Sequence, residues 1–154
     1  MSDTVGSPSA PAAAPAREVP FFTQASSFEA LWPEIARQVN KVMDRGKYSH
    51  GRQVAQLEKA IAAYTGAPYA IGVNNGTDAL VLLLRAAGVE PGQEVVVPAF
   101  SFVASASSVV LARAKPVFAD IDPETYSLDP GAAAAAATPR TAAIMPVHLF
   151  WQMA

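Results

Sequence analysis

The 154 residues contain no cysteine, which excludes disulfide staples and thiolate metal sites and suits a reducing cytoplasm. Only two histidines occur, His50 and His148, and nothing near either completes a metal set or a nucleophilic triad. Charge is scarce and balanced: 11 Lys and Arg stand against 13 Asp and Glu, scattered without a basic stripe, so nucleic acid is excluded as an expected partner. No hydrophobic run reads as a membrane span. Residues 95–112 lack charge over nearly the needed length, but Pro98 and Ser101, Ser105, Ser107 and Ser108 interrupt them, and a buried strand followed by a small-residue helix explains them better. The start of the chain lacks the basic and apolar segments of a secretory signal. Residues 1–18, rich in Ala, Pro and Ser, read as a disordered tail, and 19–154 as the ordered part.

What is present is apolar and periodic, with 51% of residues hydrophobic. Ser26 and Glu29 have capping-box spacing, and Ile35, Val39, Val42 and Met43 recur at helical spacing up to Gly46. Pro33 fits only the first turn of such a helix. Val54, Leu57, Ile61 and Tyr64 mark a second helix, closed by Gly66 and Pro68. From Tyr69 onward the pattern alternates. Strands are expected at 69–73, 94–98, 116–121 and 141–147, and helices at 79–87, 104–114 and 130–138, the last capped by Asp129. The helix over 79–87 is apolar nearly all round and predicts cover on both sides. This alternation predicts an α/β fold of three layers, a mostly parallel sheet with helices on both faces. Ligands of such sheets sit beyond the carboxyl ends of the strands. Residues 75–78, 99–102, 120–122 and 148–152 should therefore converge on one rim.

The most informative stretch is Asn74-Asn75-Gly76-Thr77-Asp78, between a short β-prone run and a strong helix former. A helix start offers backbone N–H groups without internal partners, together with positive potential. Gly76 allows close backbone approach and Thr77 adds a hydroxyl, which is the chemistry of a phosphate cradle; a plain capped turn uses the same residue types. Phe102, after the strand at 94–98, either stacks on a flat cofactor or packs in the core with Phe100. Among Asp120, Asp122, Glu124 and Asp129, calcium spacing fails because Thr125 and Gly131 stand where a glycine and a glutamate are required. Turn and cap roles suit Asp122 and Asp129, which leaves Asp120 as a site candidate. His148 either faces the ligand rim or is a hydrogen-bonded structural histidine, the reading preferred, and Gln152 reads as a residue near the rim.

In serial order these segments resemble the DegT/DnrJ/StrS family. The matching stretches are Gly46 to Gly51, Leu57-Glu58, Tyr64 to Gly66, Ile71 to Leu80, Gly92 to Ala106, Pro116 to Pro130, Thr138 to Arg140 and Pro146 to Leu149. The resemblance implies a fold-type I aminotransferase that uses pyridoxal 5'-phosphate and an amino-acid donor to aminate nucleotide-linked keto sugars, usually as a homodimer. It further implies that Gly76 and Thr77 bind the cofactor phosphate, that Phe102 stacks on the pyridine ring and that Asp78 neighbours them. The loop 47–51 would lie near the sugar site or the dimer contact. The family's Schiff-base lysine belongs to a later loop, and Lys41, Lys47, Lys59 and Lys115 do not match it. The resemblance therefore implies an amino-terminal piece that grips the cofactor and is inactive alone. Trp151 stands where the family usually has glycine. Two other readings keep the same cradle: a flavin- or nucleotide-binding α/β module, and a non-catalytic interaction module.

Overall fold

A computed structural model describes residues 23–49, 51–150 and 153–154. The expectations for the tail at 1–18, His50, Trp151 and Gln152 fall outside them. The chain divides into two compact units, one up to Ala55 and one from Gln56 onward.

In the first unit, α1 spans Ala25–Arg45 and ends on Gly46, whose φ of 65° and N–H bonds to the Val42 and Met43 carbonyls close the helix. The helix starts before Ser26, with Gln24 rather than Ser26 at the cap position. Pro33 lies well inside it, contrary to the first-turn expectation. The proline removes the N–H that would meet the Glu29 carbonyl, and Glu29 is exposed, so water can take that bond. Of the expected stripe, Ile35, Val39 and Met43 are exposed, as are Phe28, Leu31 and Trp32 beside it, and Val42 is half-buried. Among the described residues, most of the face expected to pack is thus open.

The second unit holds most of α2 (Arg52–Thr65), then α3 (Gly76–Ala86), β1 (Glu94–Pro98), α4 (Ala104–Leu111), β2 (Lys115–Ala119), α5 (Pro130–Ala136) and β3 (Thr141–Ile144). The sheet has three strands in the order β2-β1-β3, all parallel. Central β1 is buried along its whole length. Its alternation divides the core. Val95 and Val97 face Leu84, Val109 and Ala112 from α3 and α4, whereas Val96 faces Ala119 and Ala133, the latter from α5. From β1 the chain steps to β2 through α4, then crosses back over β1 to β3 through α5. Crossovers of one hand running in opposite directions place their helices on opposite faces. The expected three layers follow.

Two expectations fail. Residues 69–73 are extended but belong to no strand, because no neighbouring strand among the described residues takes up their backbone groups. One tie is the Gly72 N–H, which donates to Glu58 Oε1 at 2.7 Å. The helix over 79–87 is covered on one side only: Leu84 is buried, while Leu82 and Leu83 are exposed. Strand 141–147 shortens to β3, and its continuation leaves the sheet after Met145, whose N–H still donates to the Val96 carbonyl.

Glu94 was not singled out by any sequence pattern. It opens β1 with its side chain 2% exposed and holds three donors: Thr138 Oγ1 at 2.5 Å, Arg140 Nη2 at 2.6 Å and Lys115 Nζ at 3.3 Å. The Thr138 hydroxyl and then Arg140 hold its carboxyl down to about 2. The cluster joins the starts of all three strands, at the end of the sheet opposite the candidate site.

Candidate functional site

The site is built where the strand order reverses. Residues that follow β1 and β3 line one crevice beyond the carboxyl ends of these strands, the expected ligand position of an open α/β sheet. A cleft of about 460 Å³ occupies it, lined by Gly76, Thr77, Leu80, Ser101, Phe102, Ala104, Ser105, Val147 and Leu149. That volume suits a small-molecule ligand.

The start of α3 forms for local reasons. Asn75, in extended conformation, is the cap of α3: its Oδ1 accepts from the Asp78 N–H at 2.8 Å, and its Nδ2 donates to Asp78 Oδ2 at 3.0 Å. The Ala79 N–H reaches the Asn75 carbonyl at 3.1 Å. The Gly76 and Thr77 N–H groups have no protein acceptor among the described residues. They are left at the positive end of an eleven-residue helix, with the Thr77 hydroxyl beside them. A Cβ on Gly76 would meet no atom within 4 Å, so the approach to this backbone is open. These are the features that a phosphate ester requires, and the residues fit one.

Phe102 lines the same cleft and is 74% exposed, so its ring is outside the core. Phe100 is not among the cleft residues. It joins Tyr126 and Phe150 in a cluster of half-exposed rings with centroids 5.5 to 6.5 Å apart. Tyr126 and Phe150 hold φ of 60° and 51°, a backbone region that bulky residues rarely adopt.

Other candidates are placed elsewhere. Asp78 lines a neighbouring groove with Val73, Asn74, Val81, Leu82 and Arg85, and its backbone N–H is taken by Asn75. Asp120 accepts from the Ile121 N–H at 2.8 Å and is absent from the cleft, since β2 lies one strand away from the crevice. Asp122 accepts from the Glu124 and Thr125 N–H groups, and those bonds, Thr125 first, hold its carboxyl below the usual range. Asp129 caps α5 through the Ala132 N–H. Both carry the turn and cap roles expected of them. His148 is exposed and its Nδ1 accepts from the Ala154 N–H at 2.8 Å. No cluster of three potential metal ligands occurs among the described residues, and no helix there is long and apolar enough to cross a membrane. Ser101 and Leu149 fall in stretches expected on the rim, whereas the sequence reading missed Asn75 as the cap and Ser105 and Val147 as cleft residues.

Comparison with known proteins gives the same direction. The sequence pattern of the DegT/DnrJ/EryC1/StrS aminotransferase family matches residues 30–154. The chain is 50% identical over 121 residues to the UDP-2-acetamido-2-deoxy-3-oxo-D-glucuronate aminotransferase of Pseudomonas aeruginosa, covering 79% of this chain and 34% of that protein. It is also 50% identical over 104 residues to the 3-amino-5-hydroxybenzoate synthase of Amycolatopsis mediterranei, covering 68% of this chain and 27% of that protein. Among solved structures, Bacillus subtilis NtdA with bound cofactor PMP superposes with a TM-score of 0.79 at 34% identity, covering 90% of this chain and 33% of that one. The chain thus spans about a third of the length of the proteins it matches.

Proposed function

Because the chain belongs to the DegT/DnrJ/EryC1/StrS aminotransferase family, we propose that it supplies the cofactor-gripping part of a pyridoxal-phosphate-dependent aminotransferase acting on a keto group of a nucleotide-linked sugar, with an amino acid as donor. The observation that carries this is the pair of unpartnered N–H groups of Gly76 and Thr77 in one cleft with an exposed Phe102 ring. Gly76 and Thr77 bind the phosphate, Thr77 adds its hydroxyl, and Phe102 lies on the ring face and excludes water from it. Leu80, Val147 and Leu149 complete the apolar wall. When bound, the cofactor supplies an electron sink for amine chemistry. Asp78 stays a neighbour whose carboxylate, held by Asn75, is kept from the phosphate. Among the described residues no lysine lines the cleft, and Lys115 is engaged with Glu94, so in this proposal the chain alone brings no amine to the cofactor and is inactive by itself. A homodimer in the cytoplasm belongs to the same proposal.

The name of the Amycolatopsis relative specifies a hydroxybenzoate, which favours a second reading in which the acceptor is a carbonyl-bearing ring without a nucleotide. A segment exchange tests both. Residues 30–154 replace the aligned segment of the Pseudomonas enzyme, and amino transfer to its UDP-sugar is measured. The first reading predicts an active chimera, inactivated by Thr77→Ala combined with Phe102→Ala. A folded chimera that cannot aminate the sugar, or one indifferent to both substitutions, overturns it.

A further inference from the structure

Ser101 and Ser105 carry no role in the reading above, yet both line the cleft. Their hydroxyl oxygens lie 2.9 Å apart. Ser105, in the first turn of α4, is 7% exposed, and Ser101 Oγ is the one partner of its hydroxyl among the described residues. A hydroxyl has one hydrogen to donate and two lone pairs to accept with. If Ser101 donated to Ser105, the Ser105 hydrogen would be buried without an acceptor, at the cost of an unsatisfied polar group. If Ser105 donates to Ser101, the buried group is satisfied, and the hydrogen left over belongs to Ser101, which is partly exposed on the cleft wall. The rest of that wall near it is apolar or aromatic: Phe102, Ala104, Val147 and Leu149.

We infer that Ser101, oriented by Ser105, is a second hydroxyl, after that of Thr77, that donates to an anionic oxygen of the ligand whose ring lies on Phe102. Ser105 is a positioning residue that reaches the ligand only through Ser101. This inference rests on the pyridoxal phosphate reading of the cleft. The oxygen is either a phosphate oxygen shared with Gly76 and Thr77 or the ring's own phenolic oxygen, and both present the same chemistry to a hydroxyl.

The test is equilibrium binding of pyridoxamine phosphate, which has no aldehyde to react with surface lysines, to the 154-residue chain and its variants, each checked for helical content by circular dichroism. Ser101→Ala is expected to weaken binding about tenfold, one charge-assisted hydrogen bond. Ser105→Ala should weaken it by a smaller factor, and Ser107→Ala, outside the cleft, should leave it unchanged. Ser101→Thr and Ser101→Val have nearly the same shape, so their ratio isolates the hydroxyl even if alanine disturbs the fold; threonine should bind about tenfold more tightly. Pyridoxamine locates the oxygen: a Ser101→Ala loss confined to the phosphorylated ligand assigns the phosphate, and an equal loss with both assigns the ring. Wild-type binding with threonine and valine within twofold of each other overturns this inference alone. Absence of binding by the wild-type chain overturns the cofactor reading and this inference with it.

Discussion

At the scale of single residues, one hydroxyl and one amide carry unequal burdens. Thr77 occupies the second position of α3, where neither its N–H nor its hydroxyl is needed by the helix. Thr77→Ala should therefore leave stability within about 0.5 kcal/mol and weaken pyridoxamine phosphate binding about tenfold, read by titration calorimetry beside thermal unfolding. Asn75 is the reverse case. Its side chain caps the helix, and the residue is not among those that line the cleft. Asn75→Ala should cost about 1 kcal/mol in denaturant unfolding, the usual worth of a helix cap. An unchanged unfolding midpoint would remove Asn75 from the capping role. The open amide pair at the start of α3 was legible in the residues, since Asn-Gly-Thr before a helix former predicts a helix start. Its cap was not, because Asn75, Thr77 and Asp78 are all capping residue types and only the backbone reveals which one sits at the turn. Phe102 was legible as a choice between core and cleft, and the choice needed coordinates.

At the scale of elements, β1 is the organising strand. Val96 is fully buried on the α5 face, opposite Val95 and Val97. Val96→Ala removes two methyl groups and should cost about 2 kcal/mol in denaturant unfolding. Glu94 ties β1 to β2 through Lys115 and to the approach of β3 through Thr138 and Arg140. Its carboxyl is lowered to about 2 when folded, against an ordinary glutamate value near 4.3. A lowered folded value adds stability that is complete above the unfolded value and is lost as pH falls toward 2. The gap between wild type and Glu94→Gln in urea should be constant above about pH 5 and close between about pH 4.3 and 2. A gap independent of pH across that range contradicts the ion cluster. Runs such as Val95-Val96-Val97 announced their strand through continuous β-branched burial, and Asp129-Pro130 announced its helix through cap chemistry. Tyr69 to Val73 carried the same β signal and forms no strand, because propensity belongs to the residue whereas a ladder needs a neighbour. Glu94 was invisible for a related reason: its three partners lie 21 to 46 residues away in sequence.

At the scale of the molecule, the second unit leaves Tyr69, Ile71, Leu82 and Leu83 exposed around one apolar groove that Val73, Ala79 and Ala86 complete. Exposed apolar surface of this kind promotes self-association. Leu83→Glu should lower binding of a hydrophobic dye and raise the concentration at which the chain aggregates, without moving the unfolding midpoint by more than about 0.5 kcal/mol. An equal dye signal in both proteins would locate the sticky surface elsewhere. The family assignment concerns this whole arrangement: a parallel sheet whose crevice, at the reversal of strand order, brings the start of α3 to the loops after β1 and β3.

Whether that crevice grips a pyridoxyl phosphate is tested most directly by amide and aromatic chemical-shift mapping of the chain titrated with pyridoxamine phosphate. The largest saturable shifts are predicted at the Gly76 and Thr77 amides and the Phe102 ring, with Asp120 and the Glu94 cluster unmoved. Saturable shifts centred away from residues 76, 77 and 102, or none at millimolar ligand, would contradict it.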